Sequence, residues 1–390
     1  MSNDPLSVEA LCAGLDIPDR VQNFEDIPGG KVIFGWGAID QIGAEASRLG
    51  GKNVLVVTDP GLARTEWVER AVTALRNEVG LVYVFDEVRE NPTTKDVDRC
   101  VRMGEAAGVD LIVGLGGGSS MDTAKGANFI LTNGGTMHDY WGVDKAEKPM
   151  LPFIAVPTTS GTGSECQSFA LIADEETHAK MACGDKKAAA AVAILDPELT
   201  VTMPGAVTAH TGIDAIAHAL ETAVCNKRNE ISSAYSRAAW QLLEQGMERV
   251  MKQPDDREAR ARMQLGAAFA GIAIENSMLG IAHSCANPLT AHFGVVHGQA
   301  VGTMLPHVIQ FNSADPDTAH AYGKLFDGDL VARVRELLSA AQMALSLTDL
   351  SVDEEMIPQL AEEAAAQWTA QFNPVAADAD SLEKVYRAAV

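Results

Sequence analysis

Six short runs, apolar almost from end to end, punctuate the first half of this chain and stop at Pro197. They are KVIFGW (31–36), NVLVVTD (53–59), LVYVFDEV (81–88), LIVGLG (111–116), FIAVPTT (153–159) and AAVAILD (190–196). Each has the length of a strand, and the lack of polar alternation marks strands covered on both faces. Between them, residues 62–78, 94–107 and 119–132 space their apolar side chains as helices do, with charges on the outer positions. Strand–helix alternation of this kind predicts an α/β domain with a mostly parallel sheet.

Beyond Pro197 the strands end. Residues 208–225, 230–250, 256–275 and most of 297–390 are rich in Ala, Leu, Glu and Met with helical periodicity, so an all-helical second domain is expected. A boundary near residue 198 gives domains 1–198 and 199–390, in keeping with a length of 390 residues at roughly 100–200 per domain. Residues 1–28 are weakly patterned and expected to be irregular. No internal repeat or low-complexity tract interrupts the chain.

Composition excludes several function classes. The net charge is −23, from 53 Asp and Glu against 30 Lys and Arg, with no Lys/Arg-rich stretch. A phosphate-backbone binder needs a basic footprint, so nucleic acid and anionic membrane surfaces are not expected partners. The acidity serves solubility. Six scattered cysteines (Cys12, Cys100, Cys166, Cys183, Cys225, Cys285) form no C-x-x-C pair, which argues for a reducing cytoplasm rather than a disulfide framework. The opening MSNDPLSVEALCAGLDIPDR has no basic region followed by an apolar run, so it does not read as a secretory signal. No run of about 18 apolar residues is present to span a membrane.

Two motif groups carry chemistry. Asp214 and His218 lie four apart in GIDAIAHALE, on one helix face, and His283 and His297 follow in IAHSCANPLTAHFGVVHG. The pair at 214 and 218 alone reads as readily as an ordinary cap and a buried histidine. With the two later histidines it becomes one carboxylate and three imidazoles, a donor set suited to Fe(II) or Zn(II) rather than to Mg or Ca. The other group is LIVGLGGGSSMDTAKG (111–126), a buried strand running through glycines into a helix. Glycines admit a pyrophosphate close to the backbone, and the helix N-terminus offers it unpaired N–H groups. The G-x-G-x-x-G spacing is broken at Ser119, and a tight turn that binds nothing is an equal reading of this loop alone. Asp59, closing VLVVTDPG, suits a ribose 2′-hydroxyl and would repel a 2′-phosphate, or else caps the turn before Pro60. PTTSGTGSE (157–165) crowds hydroxyls and glycines after another strand, which suits a ribose or nicotinamide.

Together GGGSSMDTAK (116–125), PTTSGTGSE (157–165), GIDAIAHALE (212–221) and LGIAHSCANPLTAHFGVVHG (279–298) resemble the iron-containing (group III) alcohol dehydrogenases of the dehydroquinate synthase-like superfold. The resemblance covers about residues 30–390. It implies a Rossmann-like dinucleotide-binding domain, a helical metal-binding domain and an active site in the cleft between them. It also implies Asp214, His218, His283 and His297 as ligands of Fe(II), with Zn a possible substitute. The NAD contacts it implies are Asp59, Asn91, Gly117, Gly118, Ser119, Thr158, Thr159, Thr162 and Lys180. Asp122 and Lys125 complete the glycine-loop motif, with Asp122 placed to orient the loop or the nicotinamide ribose. A homo-oligomer, dimer or larger, is the family habit.

One position departs from the family. A further histidine commonly stands four residues after the ligand at 283, and here it is Asn287, which hydrogen-bonds but carries no proton at neutral pH. His292 is a candidate substitute, though a helix surface suits it better. Cys285 reads as a small buried hydrophobe and Trp141 as a structural aromatic. The implied chemistry is hydride transfer between nicotinamide and a small alcohol or aldehyde, with a divalent metal lowering the pKa of the hydroxyl. No side-chain nucleophile is required. Four protein ligands exceed the usual catalytic zinc set and favour Fe(II), although Zn should also bind tightly. Relatives such as maleylacetate reductase or glycerol dehydrogenase are the nearest alternatives. A dehydroquinate synthase should place several basic residues near the ligands, and only Lys227 and Arg228 flank them. A non-catalytic NAD-binding protein is the reading from another class, disfavoured by the intact ligand set and loop.

Overall fold

The computed structural model describes residues 5–177 and 179–390. Where irregular chain was expected before the first strand, two short helices form, α1 (Val8–Cys12) and α2 (Asp19–Gln22). Helices of five and four residues do not hold by propensity. They order because Leu11, Cys12 and Val21 bury their side chains, and because Arg262 donates to the Leu11 carbonyl. Tertiary docking therefore overrides a weak local pattern.

Chain contacts divide the molecule into two units. The first contains Ile27–Thr159 and Gly163–Thr202; the second contains Val8–Asp26, Ser160–Thr162 and Met203–Val390. Two segments of the first half, Val8–Asp26 and Ser160–Thr162, are thus grouped with the helical unit.

In the first unit the order is β1 (Lys31–Phe34), α3 (Ile42–Arg48), β2 (Asn53–Val57), α4 (Glu66–Glu78), β3 (Leu81–Phe85), α5 (Thr94–Ala107), β4 (Leu111–Gly116) and α6 (Gly118–Asn133). Then come β5 (Gly142–Val143), β6 (Phe153–Pro157), β7 (Phe169–Ala173), β8 (Lys180–Gly184) and β9 (Val192–Leu195). Six strands make one wholly parallel sheet in the order β1-β9-β6-β4-β2-β3. Successive side chains leave a strand on opposite faces. Leu55, Val57, Ile112, Phe153 and Ala155 accordingly join Val97, Val101 and Met121 of α5 and α6 in one core. Val54, Val56, Val113, Ile154 and Val156 join Ile42, Val68 and Leu75 of α3 and α4 in the other. Burial on both faces explains the unbroken apolar runs. A second sheet, β5-β8-β7, was not anticipated; β7 and β8 pair antiparallel as FALIA and KMACG.

The second unit is helical throughout: α7 (Gly205–Val224), α8 (Glu230–Lys252), α9 (Arg257–Glu275), α10 (Ile281–Phe293), α11 (His297–Asn312), α12 (Pro316–Gly323), α13 (Leu330–Ala340), α14 (Ile357–Ala365) and α15 (Ala379–Ala388). From Gly212 to Val224 every residue of α7 is buried. A helix buried on all sides belongs at the centre of a bundle. α8, α9, α11 and α12 pack around it, and α10 packs against α11 and α14.

Candidate functional site

The central helix α7 carries three buried ionisable residues along one stripe: Asp214, His218 one turn later, and Glu221 three residues beyond that. His283 is the third residue of α10, and His297 is the first of α11. Gly298 lets α11 begin hard against α7, since a Cβ there would stand 2.1 Å from the His210 carbonyl oxygen. Three helices thereby aim their imidazoles at one carboxylate oxygen. From Asp214 Oδ1 the distances are 3.3 Å to His283 Nε2, 3.5 Å to His218 Nε2 and 3.8 Å to His297 Nε2. His218 and His283 stack with ring centroids 4.9 Å apart, and His297 tilts against His283 at 5.4 Å.

This spacing is that of ligands around a cation. Donors about 2.1 Å from a tetrahedral ion are about 3.4 Å from one another. Asp214 Oδ1 and His283 Nε2 are both buried without a hydrogen-bond partner, an expensive state unless another group completes them. Donor atoms of Asp214, His283 and His297 all lie within 4.8 Å of one another. His218 stands outside that tight trio but within 3.5 Å of the shared carboxylate oxygen. Burial alone would raise the Asp214 carboxyl, yet the surrounding imidazoles hold it far below the usual carboxylate range. Burial would depress His283, but the Glu221 and Asp214 carboxylates lift it to about 9. For His218 burial wins, and its pKa falls. A site of this chemistry attracts a cation in place of protons.

Glu221 escaped the reading of the sequence. Its Oε2 lies 2.5 Å from His283 Nδ1, and its Oε1 accepts the Ala282 N–H at 2.7 Å. A signal was available, for Glu221 follows His218 by three residues on the same helical face.

In the first unit the nucleotide-type residues gather at the carboxyl ends of β2, β4 and β6. The chain runs from β2 to β3 on one side and then to β4 on the other, so strand order reverses between β2 and β4. Ligands of open parallel sheets bind at such switch points. Gly116 ends β4 at φ +153°, and a Cβ there would stand 2.4 Å from Ser120 Oγ. Only glycine makes this turn. Gly117 and Gly118 then open the helix α6, with Ser119 half-buried in its first turn. Thr158 N–H donates to the Gly116 carbonyl at 3.0 Å, and Thr159 flanks Gly117. Asp59 does two things. Its Oδ1 accepts from Gly61 and Leu62 N–H at 2.8 and 2.9 Å, while its Oδ2 stays on the Gly116 side. The turn cap and the ribose acceptor, weighed as alternatives, are thus compatible, one oxygen each.

Other candidates scatter. Asn91 takes a left-handed φ of +51°, which asparagine tolerates better than most residues, ahead of the capping box that starts α5. Thr162 is grouped with the helical unit. Asp122 Oδ1 accepts the Ser164 hydroxyl at 2.9 Å, and burial raises its pKa against the pull of Lys125 and Lys180. Lys180 itself is exposed on β8. Lys125 is buried, and its ammonium donates to the carbonyls of Ser164, Gln167 and Phe169 at 2.6, 2.8 and 3.0 Å. That lysine clamps protein backbone rather than phosphate.

Asn287 donates to Gln367 Oε1 at 3.0 Å, one turn beyond His283. His292 pairs with Glu363 on the surface, as its position suggested. Burial pushes the Cys285 thiol up to about 12, so it has no nucleophilic character. Trp141 is 52% exposed, which corrects its expected role as a structural aromatic. Just ahead of the two-residue β5, it finds no core to enter.

A convergent acid-and-imidazole centre, in a chain that also builds a glycine loop at a parallel-sheet switch point, defines a metal-dependent, dinucleotide-linked oxidoreductase. Comparison with known proteins narrows this class. Residues 29–197 match the family described as iron-containing alcohol dehydrogenase, and residues 208–390 match its C-terminal domain, so the chain belongs to that family. It is 33% identical to alcohol dehydrogenase 4 of Schizosaccharomyces pombe, over 92% of this chain and 87% of the relative. It is 32% identical to the NAD-dependent methanol dehydrogenase of Bacillus methanolicus, over 93% of this chain and 99% of that one. Among solved structures, a 1,3-propanediol oxidoreductase superposes with a TM-score of 0.90 at 30% identity, over 93% of this chain and 98% of the other. The fold, the metal dependence and the NAD(H)-linked alcohol dehydrogenase class expected from the motifs are borne out.

Proposed function

We propose that this chain interconverts a small alcohol and its aldehyde with NAD(H), and holds Fe(II) on Asp214, His218, His283 and His297. The observation that carries the ligand set is the convergence of three Nε2 atoms within 3.8 Å of one buried carboxylate oxygen. Bound there, the cation supplies Lewis acidity, which eases proton loss from a hydroxyl and polarises a carbonyl. NAD, when bound, would supply the hydride acceptor or donor. Asp214 contributes the negative charge and the imidazoles the neutral donors, while the inert Cys285 takes no part. Asn287 offers an amide and no titratable proton near His283, so proton exit uses another carrier.

Asp59 Oδ2, Gly117, Gly118, Ser119, Thr158 and Thr159 form the proposed nucleotide cradle, with Asn91, Asp122, Thr162 and Lys180 as further contacts. Asp59 favours NAD over NADP. Domains divided near residue 198, a cytoplasmic location and a homo-oligomer belong to the same reading. No helix among the described residues is long and apolar enough to cross a membrane.

The test follows NADH absorbance with a panel of short alcohols and aldehydes, on metal-stripped protein with and without added Fe(II) or Zn(II). Metal-dependent turnover is expected. His283→Ala should lose both bound metal and turnover while circular dichroism retains the α/β signal. Retention of metal by that variant, measured by elemental analysis, refutes the ligand set.

A further inference from the structure

The acid behind His283 spends both of its oxygens on one turn of helix. Glu221 Oε2 meets His283 Nδ1 at 2.5 Å, and Oε1 takes the Ala282 N–H at 2.7 Å. That N–H is among the first of α10, which have no carbonyl partner inside the helix. The Glu221 side chain is 3% exposed, so neither contact competes with bulk water. A carboxylate only accepts, so Nδ1 must carry the proton it shares with Glu221. Nε2, on the far side of the ring and 3.3 Å from Asp214 Oδ1, is then the nitrogen left to yield its proton and present a lone pair to a cation.

Glu221 is itself held in place. Gly280 leaves no room behind it, for a Cβ there would stand 3.1 Å from Glu221 Oε1 and 2.9 Å from Asn373 Oδ1. Asn373 exchanges amide hydrogen bonds with Asn312 at 2.7 and 3.2 Å, and Asn312 bonds to the buried Tyr322. Its two hydrogen bonds and the close approach of Gly280 leave the buried Glu221 carboxylate little freedom to turn.

We propose that Glu221 is a positioning residue of the metal centre, which holds His283 in the tautomer that leaves Nε2 free for a divalent cation. This rests on the reading of Asp214, His218, His283 and His297 as ligands. Glutamine is the informative replacement because it keeps the shape and removes one acceptor. The Ala282 N–H cannot turn away, so the amide oxygen goes to it and the amide N–H2 faces Nδ1. His283 must then place its proton on Nε2, where the cation should bind.

The experiment titrates metal-free protein with Zn(II) against a chromophoric chelator, for the wild type and Glu221→Gln, and records the melting temperature of each metal-free form. Loss of a hydrogen-bonded partner behind a metal-binding histidine costs about 10–100-fold in affinity. A loss of that size with a similar metal-free melting temperature is expected. Affinity within about twofold of the wild type overturns the proposal, as does a lower melting temperature with unchanged affinity. Should Glu221→Gln fail to fold, nitrogen-15 spectra of Zn(II)-loaded wild type, labelled at histidine, decide the matter. Nδ1 protonated and Nε2 ligating supports the assignment; the reverse overturns it. A wild type that takes up neither Zn(II) nor Fe(II) refutes the metal reading itself, a separate result.

Discussion

Asp59 spends one oxygen on the turn, and the proposed ribose contact would fall to the other, which makes the choice of substitution decisive. Glycine would remove the turn cap at Gly61 and Leu62 together with the charge, and lost caps cost about 0.5–2 kcal/mol. Asparagine keeps an acceptor for the turn and deletes the charge that repels a 2′-phosphate. Asp59→Asn is therefore expected to raise kcat/KM with NADP relative to NAD while the melting temperature stays within a degree or two; an unmoved cofactor ratio in steady-state kinetics rejects the role. The cap and the ribose acceptor were both readable at this position. That the two roles would fall to different oxygens was not, because it depends on Gly116 of another strand lying beside Oδ2.

At the scale of the element, α6 and the segment after β6 are joined by one buried ammonium. Lys125 donates to three carbonyls and the Ser164 hydroxyl, and its charge also acts on the buried carboxyls of Asp122 and Glu165. Lys125→Met would strand those carbonyls and remove the cation, at a cost of about 3–5 kcal/mol. Urea unfolding should show the loss, with faster amide exchange across residues 164–171. Glu165 gives a pH signature in the same segment. Burial raises its carboxyl from 4.5 to about 7. Between those values the native chain keeps a proton that the unfolded chain has released, so stability falls as pH rises through that window. Its full size is about 3 kcal/mol. Glu165→Gln should flatten this part of the stability profile and be the more stable protein at pH 8; a parallel pH slope in both proteins counts against it. LIVGLG and residues 94–107 were legible with their final bounds, because burial and capping there are written locally. FALIA and KMACG were not, since each becomes a strand only by pairing with the other.

Over the whole molecule, repulsion competes with local ion pairing. Arg333 gathers Glu244, Glu248 and Glu336, Arg70 bridges Asp40 and Glu198, and Arg249 meets Asp256 and Glu258. Exposed pairs contribute about 0–1 kcal/mol each, and salt weakens them. Against them stands a net charge of −23 over 390 residues, whose mutual repulsion salt also screens. With 53 acids against 30 bases, negative charges exceed positive ones by 23, so screening should favour the folded chain. As the Debye length falls from about 10 Å at 0.1 M to about 3 Å at 1 M, the melting temperature is expected to rise. Calorimetry across that range checks it, and a falling melting temperature would mean that the local networks dominate.

What the sequence determined by itself was whatever is encoded by neighbours along the chain. The apolar runs, the helical spacing, the glycine turn and the i, i+4 placement of Asp214 and His218 all follow from periodicity and local sterics. Tertiary structure alone decided what depends on residues far apart in number. It brought His283 and His297 to Asp214, turned Glu221 onto His283 across 62 positions, and sent the charge of Lys125 inward to backbone carbonyls. The reason is physical. A side chain's chemistry is fixed by its composition, but whether it meets metal, proton or carbonyl depends on which desolvated partner the packing delivers to it.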